Sequence, residues 1–289
     1  MPNIPAPLRL LLGAVMISFS AVFVKLTTVA PTVSAFYRMF WGGLALLALV
    51  ALQRNRLRFS GKATLIIVVA ALFFAGDLFC WHRSILFVGP GLATLLANFQ
   101  VFLLALAGIM LFHEPLRWEI MLAIPLAMIG LGLLVGVDWA SLPGDYRLGV
   151  IFGLLAALCY ATFILSLRNV RVGQEAPSST AVMSLLSLCC ALILGAVVTF
   201  SGESFAIPTW RDGGLLLLYG LISQAVGWVL ISQGIATVRA SQAGLILLLQ
   251  PTLSFVWDIG FFGRTLTWLE CGGALLALAA IYLGSRPRV

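Results

Sequence analysis

Long apolar segments recur along the whole chain, and they constrain its fold more than any other feature. One of them, ATLLANFQVFLLALAGIMLF at 93–112, has the amides Asn98 and Gln100 as its only strongly polar side chains. About 20 such residues form a helix that spans the hydrocarbon core of a bilayer. Only 9% of the 289 residues are charged, against about 25% in soluble domains, and the in–out alternation of barrel strands is missing. The sequence therefore predicts an all-α, polytopic membrane protein.

The apolar segments predict ten transmembrane helices, joined by loops too short to hold a soluble domain. Turn-forming sequences such as GPG at 89–91 and LPGD at 142–145 separate them. We interpret the N-terminal segment as the first helix rather than a removable signal, because no clear cleavage site follows it. The predicted spans are 8–26, 33–52, 63–82, 91–112, 118–137, 148–167, 180–200, 213–233, 242–262 and 267–284.

The distribution of basic residues predicts that both termini are cytoplasmic. In this orientation most of the 17 Lys and Arg residues fall on the inner side, above all in QRNRLRFSGK at 53–62, as the positive-inside rule requires. The net charge of +7 therefore indicates a lipid bilayer, the bacterial-type inner membrane, and not nucleic acid. The five cysteines lie in apolar segments without metal-ligand spacing, so we expect no metal and no cofactor. The oligomeric state does not follow from the sequence.

An internal repeat relates two parts of the chain. Residues 87–134 align without a gap with 237–284, and 12 of the 48 positions are identical. Several identities are Leu on Leu, which a leucine-rich chain produces by chance. The informative pairs are Gln100 with Gln250, Phe112 with Phe262 and Trp118 with Trp268.

The repeat predicts two five-helix halves, 1–140 and 145–289. Because five is odd, the second half enters the membrane from the opposite side, so the repeats are inverted. Inverted repeats are typical of transporters, whose substrate site lies where the halves meet near the middle of the bilayer. We therefore expect Asn98, Gln100 and Gln250 to converge there and bind substrate. The alternative is that these amides only join helices to each other.

Span three carries a cluster of polar and aromatic residues in LFFAGDLFCWHRSI at 72–85. An ionisable residue inside a span is a functional hypothesis by default, so Asp77 is a candidate for substrate binding and for proton transport. The alternative is a structural ion pair near the outer rim. Trp81 and His82 extend the cluster and are further candidates, although a histidine near a helix end is more often simply solvated.

Spans six, eight and nine supply the remaining candidates for the substrate site and its movement. Gln224, Trp228 and Ser232 recur at every fourth residue, so they share one helix face. We expect Trp228 to form an aromatic wall, with ordinary packing as the alternative. Tyr160 is expected to offer a hydroxyl group to the cavity, with a hydrogen bond between helices as the alternative. Pro251 removes a helical hydrogen bond next to Gln250 and is a candidate hinge.

The outer helix ends carry further polar residues. We expect Lys25, Tyr37 and Arg38 either to gate the mouth of the protein or to extend towards the interface. Trp257 fits an aromatic belt, and Asp258 is expected to be exposed near the end of its span.

Small residues in spans five and ten indicate where those helices pack. Gly132 lies four residues before Gly136, and Gly273 lies four residues before Ala277, so each pair shares a helix face. We expect both pairs to mediate close helix packing rather than ligand binding.

The stretch ALAGIMLFHEPLRWEIMLAIPLAMIGLGLL at 105–134 resembles the drug/metabolite transporter superfamily of the ten-span type with two EamA-like halves. Members of that family have a Leu-Gly-Glu sequence, followed by a Trp and then by a helix that contains glycine. In this chain FHE at 112–114 occupies the position of Leu-Gly-Glu, and Trp118 occupies that of the Trp. In the second half FGR at 262–264 has Arg instead of Glu. The resemblance covers essentially the whole chain and implies a transporter, with the greatest overall likeness to bacterial amino-acid exporters, in particular the aromatic branch.

The expected function is export of amino acids by alternating access, and the alternative within the same class is transport of another small metabolite or a drug. No GxxxxGK[ST] motif for ATP is present, so an ion or the solute gradient must drive transport. An intramembrane enzyme is the second hypothesis; it lacks support because His113-Glu114 does not continue into HExxH, and we assign no catalytic residue. A purely structural subunit is the third, and it requires the amides to pair with each other in dry contacts.

Overall fold

The computed structural model describes residues 5–53, 59–112, 118–135, 142–170, 178–235, 246–247 and 249–285. No strand occurs within these residues, so the predicted all-α class is confirmed for them. The helices of the first half are α1 Ala6–Ser18, α2 Ser20–Leu26, α3 Pro31–Leu52, α4 Gly61–Val88, α5 Pro90–Ala97, α6 Gln100–Phe112 and α7 Trp118–Val135. Those of the second half are α8 Gly144–Val170, α9 Ser179–Phe200, α10 Trp210–Leu218, a π-helix Tyr219–Gly227, α11 Trp228–Ile235, α12 Leu249–Phe262 and α13 Trp268–Ser285.

Six helical segments are long and apolar enough to cross a membrane, so the chain is a multi-pass membrane protein. They are Ala6–Leu26, Pro31–Leu52, Gly61–Val88, Gly144–Ser166, Thr180–Phe200 and Trp210–Ile231. Shorter apolar helices are Pro90–Leu104, Met121–Leu134 and Trp268–Leu283. The start of the predicted ninth span, 242–245, lies outside the described residues, as do Gly136 and His113.

Three of the predicted spans are not continuous α-helices. The span predicted at 91–112 divides at Asn98 and Phe99, and the one predicted at 8–26 divides at Phe19. The eighth span contains the π-helix Tyr219–Gly227, a form that occurs frequently at functional sites. Transporters use interrupted helices of this kind at mid-membrane substrate sites, because the interruption frees backbone groups.

Local sequence explains several helix boundaries. Pro31 and Pro90 stand at the first position of α3 and α5, where the N–H that proline lacks has no helical partner. Ser60 and Thr209 cap the next helices by accepting hydrogen bonds from Ala63 N and Asp212 N. Gly89 alone separates α4 from α5 and has φ +84°, a conformation that glycine adopts without steric cost.

The principal contacts between helices join the two halves of the chain. The pairs are α1 with α11, α4 with α8, α3 with α9, α5 with α12, and α7 with α13. If the spans are numbered from one to ten, these contacts pair 1 with 8, 3 with 6, 2 with 7, 4 with 9 and 5 with 10. If each span is replaced by its counterpart five places away along the chain, the pair 1 with 8 becomes 6 with 3, the pair 3 with 6 becomes 8 with 1, and the other pairs map onto themselves. The set of pairs is therefore unchanged.

The contact between α7 and α13 includes small residues at positions that are aligned, 150 residues apart, in the internal repeat. Ala123, Ala127, Ala277 and Ala280 are each at most 1% exposed. A Cβ atom at Gly130 would lie 2.7 Å from Ala277 N and 2.8 Å from Gly273 O. The aligned positions are Ala123 with Gly273, Ala127 with Ala277, and Gly130 with Ala280.

The predicted packing role of Gly132 is wrong, and that of Gly273 is confirmed. A Cβ atom at Gly132 would meet no atom of the described residues within 4 Å, whereas one at Gly273 would lie 2.8 Å from Gly130 O. Gly130, two residues before Gly132, therefore faces α13. The sequence pattern placed two small residues on one face but did not reveal which face meets the partner helix.

We predict that Gly130→Leu destabilises the protein and that Gly132→Leu does not. The added side chain at residue 130 must displace the backbone of α13, which costs about 1–3 kcal/mol, whereas residue 132 has open space beside it. Thermal unfolding of the detergent-purified variants measures the difference. Equal transition temperatures for the two variants would contradict the packing described for α7 and α13.

Candidate functional site

A cavity of about 260 Å³ lies between helices from both halves of the chain. This volume holds several water molecules or one small solute, since a water occupies about 30 Å³ in the liquid. Aliphatic residues and the rings of Phe74, Trp81 and Trp228 form its apolar wall. Its polar wall consists of Ser18, Ser20, Arg38, Asp77, Thr94, Asn98, Gln100, Tyr160, Gln250 and Ser254.

Most of the residues predicted for the site meet at this cavity. The residues that line it are Asn98, Gln100, Gln250, Trp228, Asp77, Trp81 and Tyr160. Gln224 and His82 are fully buried and lie behind the wall. The structure thus brings the three amides to one place, while their contact with a substrate stays a prediction.

Three cavity residues carry buried polar atoms that form no hydrogen bond with any residue that the structure describes. They are Ser20 Oγ, Gln100 Oε1 and Trp228 Nε1. A buried polar atom left unpaired costs on the order of 1–3 kcal/mol, and more where the surroundings are hydrocarbon. The residues that line the cavity thus include an acceptor at Gln100 and a donor at Trp228 that no described group pairs.

Asn98 pairs with its own helix rather than with another one. Its Nδ2 donates to Thr94 O at 2.8 Å, at the interruption between α5 and α6. Gln250 makes no hydrogen bond to a described residue and faces the cavity directly. The contacts described for the amides therefore do not join one helix to another.

Arg38 is a site residue that the sequence analysis placed at the helix end. It is only 4% exposed, and its Nε donates to Gln224 Oε1 at 3.3 Å. Its Nη1 donates to the hydroxyl oxygen of Tyr219 at 3.0 Å. The guanidinium carbon also lies 5.0 Å from the centroid of the Tyr219 ring, over its face. The expected extension towards the interface is wrong, because the side chain turns into the bundle.

Gln224 and His82 belong to one hydrogen-bond network behind the cavity. Gln224 Nε2 donates to Ser187 Oγ at 2.9 Å. The Tyr219 hydroxyl oxygen, which accepts from Arg38, lies 3.2 Å from His82 Nε2. His82 Nδ1 lies 2.7 Å from Leu78 O, and because a carbonyl only accepts, Nδ1 carries the proton and Nε2 accepts from the tyrosine. The network holds Arg38 in a fixed orientation.

Asp77 is the one residue with a carboxylate among the described residues that line the cavity. It is 6% exposed, accepts no hydrogen bond from a described residue, and interacts electrostatically with Arg38. The predicted ion pair near the outer rim is therefore not formed. The carboxylate is free to meet a solute or a water molecule.

An aromatic cluster forms one side of the cavity. The Trp228 ring packs edge-on against Phe74 at 6.3 Å and Phe163 at 6.4 Å. Phe74 and Phe163 are stacked at 4.5 Å, and Tyr160 contacts Phe163 at 5.6 Å. Edge-on and offset arrangements are the favoured geometries for such rings, so this wall is apolar and well packed.

Ion pairs join the helices beyond one end of the cavity. Asp258 is 1% exposed and accepts from Gly91 N at 3.2 Å, from Lys25 Nζ at 3.4 Å and from Arg264 Nη1 at 3.4 Å. Arg264 Nη1 also donates to Val88 O at 2.9 Å. The predicted exposure of Asp258 is therefore wrong, because the buried carboxylate pairs with two cations and ties α2, α5 and α12 together.

A second group of contacts lies at the same end. Arg83 Nη2 lies 3.6 Å from Glu203 Oε1 and 3.0 Å from Thr32 Oγ1. Tyr37 O–H donates to Phe205 O at 2.7 Å. We call the region formed by 25–32, 83–91, 203–212 and 258–264 the ion-paired end.

Pro251 is buried near the start of the described part of α12. Its role as a hinge stays a prediction.

Within the described residues no group of three or more His, Cys, Asp or Glu could hold a metal ion.

Some of the missed wall residues had a signal in the sequence. Ser254 follows Gln250 by four residues, and Thr94 precedes Asn98 by four, so each shares a helix face with a predicted amide. Ser20 aligns with Tyr160 in the weaker echo between SAVFVK at 20–25 and YATFIL at 160–165.

Comparison with known proteins assigns the fold and the family. The chain is 29% identical over 257 residues to the threonine/homoserine exporter RhtA of Salmonella typhimurium and that of Escherichia coli, covering 89% of this chain and 80% of theirs. It is 26% identical over 278 residues to an uncharacterised transporter of Archaeoglobus fulgidus, covering 96% of this chain and 95% of the relative. A solved crystal structure with 17% identity superimposes with a TM-score of 0.68 over 96% of each chain, which shows the fold alone.

The family match covers nearly the whole chain. The model of the EamA-like transporter family matches it twice, at 5–136 and at 147–286. Transporters of this family move a small molecule across a membrane, in agreement with a polar cavity inside a bundle of apolar helices. The chain belongs to the EamA-like transporter family.

Proposed function

We propose that this protein exports neutral amino acids through the central cavity by alternating access. The observation that carries this proposal is the convergence of polar groups from both halves on one cavity, with Gln100 Oε1 and Trp228 Nε1 left unpaired. Such groups are stable inside a membrane only beside water or a polar solute. A relative that is named as a threonine/homoserine exporter supports amino acids as the substrate class.

The proposed architecture is ten spans in two inverted five-helix halves, 1–140 and 145–289. The two family matches, the reciprocal pairing of helices and the small residues of α7 and α13 support a two-fold relation between the halves. Because each half has five spans, the axis of that relation lies in the membrane plane. The cavity lies near that axis.

The cavity wall divides into a polar part and an aromatic part. Asn98, Gln100 and Gln250 would bind the polar groups that all amino acids share, and the rings of Trp81, Trp228 and Tyr160 would receive the side chain. Aromatic surfaces accept both aliphatic and aromatic groups. We therefore propose a broad specificity for neutral amino acids, which includes aromatic ones, and we retain another small metabolite as the alternative substrate.

Alternating access requires the ion-paired end to open and close. With both termini in the cytoplasm, this end faces outward, and the end of α3 at Leu52 and the start of α4 at Gly61 lie on the opposite side. The contacts of Asp258 with Lys25, Arg264 and Gly91 then hold the outer side shut while solute enters from the cytoplasm. Opening must break these contacts and replace them with water.

The driving force has two candidates. Asp77 would carry a proton in exchange for the solute, as an ionisable group at the cavity wall can. Alternatively the amino-acid gradient alone drives facilitated flow. No ATP-binding motif of the GxxxxGK[ST] kind is present in the sequence.

We predict that replacing cavity residues abolishes transport. In liposomes loaded with labelled threonine or tryptophan, Gln100→Leu, Gln250→Leu and Trp228→Ala should each slow protein-dependent efflux at least tenfold, because a lost hydrogen bond or ring contact is worth about 1.4 kcal/mol or more. Trp268→Ala is the matched control, since Trp268 is 93% exposed on the bundle surface. Wild-type protein that moves no amino acid, or Trp268→Ala that fails as Trp228→Ala does, would contradict the proposal.

We predict that Asp258→Asn loosens the ion-paired end. Removing a buried charge that pairs with two cations costs about 3–5 kcal/mol locally, so segments 88–91 and 263–267 should exchange their amide hydrogens much faster. Hydrogen–deuterium exchange of the purified variants measures this. Glu270→Gln is the control, because its ion pair with Arg264 at 3.6 Å is partly exposed and worth less than about 1 kcal/mol. Equal exchange in both variants would show that Asp258 does not close this end.

A further inference from the structure

Two opposite charges face the cavity from neighbouring helices without touching each other. Arg38 in α3 and Asp77 in α4 both line the wall and are 4% and 6% exposed. They interact electrostatically, yet they form no ion pair within 4.0 Å. The cavity therefore has a positive pole and a negative pole with space between them.

The groups that hold Arg38 do not neutralise it. Its hydrogen bonds use Nε and Nη1, and both acceptors, Gln224 Oε1 and the Tyr219 hydroxyl, are uncharged. No carboxylate of the described residues lies within ion-pair distance of the guanidinium. The network orients a planar cation that still requires an anion, and such a group binds carboxylate with two parallel hydrogen bonds.

The negative pole is complementary. The Asp77 carboxylate accepts no hydrogen bond from a described residue, and the unpaired Gln100 Oε1 is a second acceptor on the same cavity wall. Acceptors of this kind suit an ammonium group, which has three donors and no acceptor. An uncompensated charge inside a membrane is costly unless it is paired.

We propose that Arg38 and Asp77 bind the carboxylate and the ammonium group of a zwitterionic solute, and so select free amino acids. This inference rests on the proposed export function and adds the basis of its selectivity. A solute with only one of the two charges leaves the other pole unpaired. Binding discriminates strongly in that situation, because a buried charge without a partner is penalised.

Competition between amino-acid derivatives tests the proposal. The labelled substrate is threonine or tryptophan, whichever the wild type transports faster, in liposomes that contain the protein. The competitors are the same free amino acid, its methyl ester, which has no carboxylate, and its N-acetyl form, which has no ammonium. For the wild type we expect the free amino acid to compete at least tenfold better than either derivative.

The variants test which cavity residue recognises which charged group of the solute. Arg38→Gln should lose the preference over the methyl ester and keep the preference over the N-acetyl form; Asp77→Asn should do the reverse. Arg211→Gln and Asp145→Asn, which replace exposed charges away from the cavity, should keep both preferences. Thermal unfolding checks that each variant is folded, and Asp77→Asn, which keeps the shape of the side chain, tests the proposal if Arg38→Gln does not fold.

The outcomes separate this inference from the proposed function. If the wild type transports an amino acid and all three competitors are equally potent, or if the variants keep the wild-type preferences, the zwitterion assignment is wrong and amino-acid export stands. If the wild type transports no amino acid, both fail.

Discussion

The requirement that polar groups inside a membrane be paired governs this structure. Helices satisfy their own backbones, so the requirement falls on side chains. The chain meets it in two ways: a dry network that runs from Ser187 through Gln224, Arg38 and Tyr219 to His82, and a cavity where several groups stay unpaired. The dry network provides fixed geometry, and the cavity provides binding capacity.

The polar groups separate into layers with different tasks. Asp258 joins cations and a backbone N–H at the ion-paired end, whereas Asp77 stands free on the cavity wall. The two aspartates differ because one is already neutralised by Lys25 and Arg264. A transporter needs both kinds of site: a contact strong enough to close one end, and a site that is incomplete until solute arrives.

The sequence predicted the all-α class and the three amides that line the cavity, because an apolar run makes every polar residue conspicuous. It failed for Arg38 and Asp258, whose burial depends on partners 181 and 233 residues away along the chain. The π-helix and the division at Asn98 also escaped prediction. No proline or glycine stands at Asn98 or Phe99, and the glycines of the π-helix are no signal by themselves, because the continuous helix α3 contains Gly42 and Gly43 as well. One signal was present but unused: Asp77 precedes Trp81 by four residues, as Gln224 precedes Trp228, and both tryptophans line the cavity.

Thiol accessibility tests most directly whether the amides surround a wet cavity closed at one end. The five native cysteines would be replaced, and single cysteines introduced as Gln250→Cys and, on the lipid-facing surface, Leu275→Cys, where the native leucine is 70% exposed. A charged, membrane-impermeant maleimide should label Gln250→Cys only from the side opposite the ion-paired end, more slowly with substrate present, and leave Leu275→Cys unlabelled. Labelling of Gln250→Cys from neither side would mean dry contacts, and equal labelling from both would mean an open pore; either result would contradict this account.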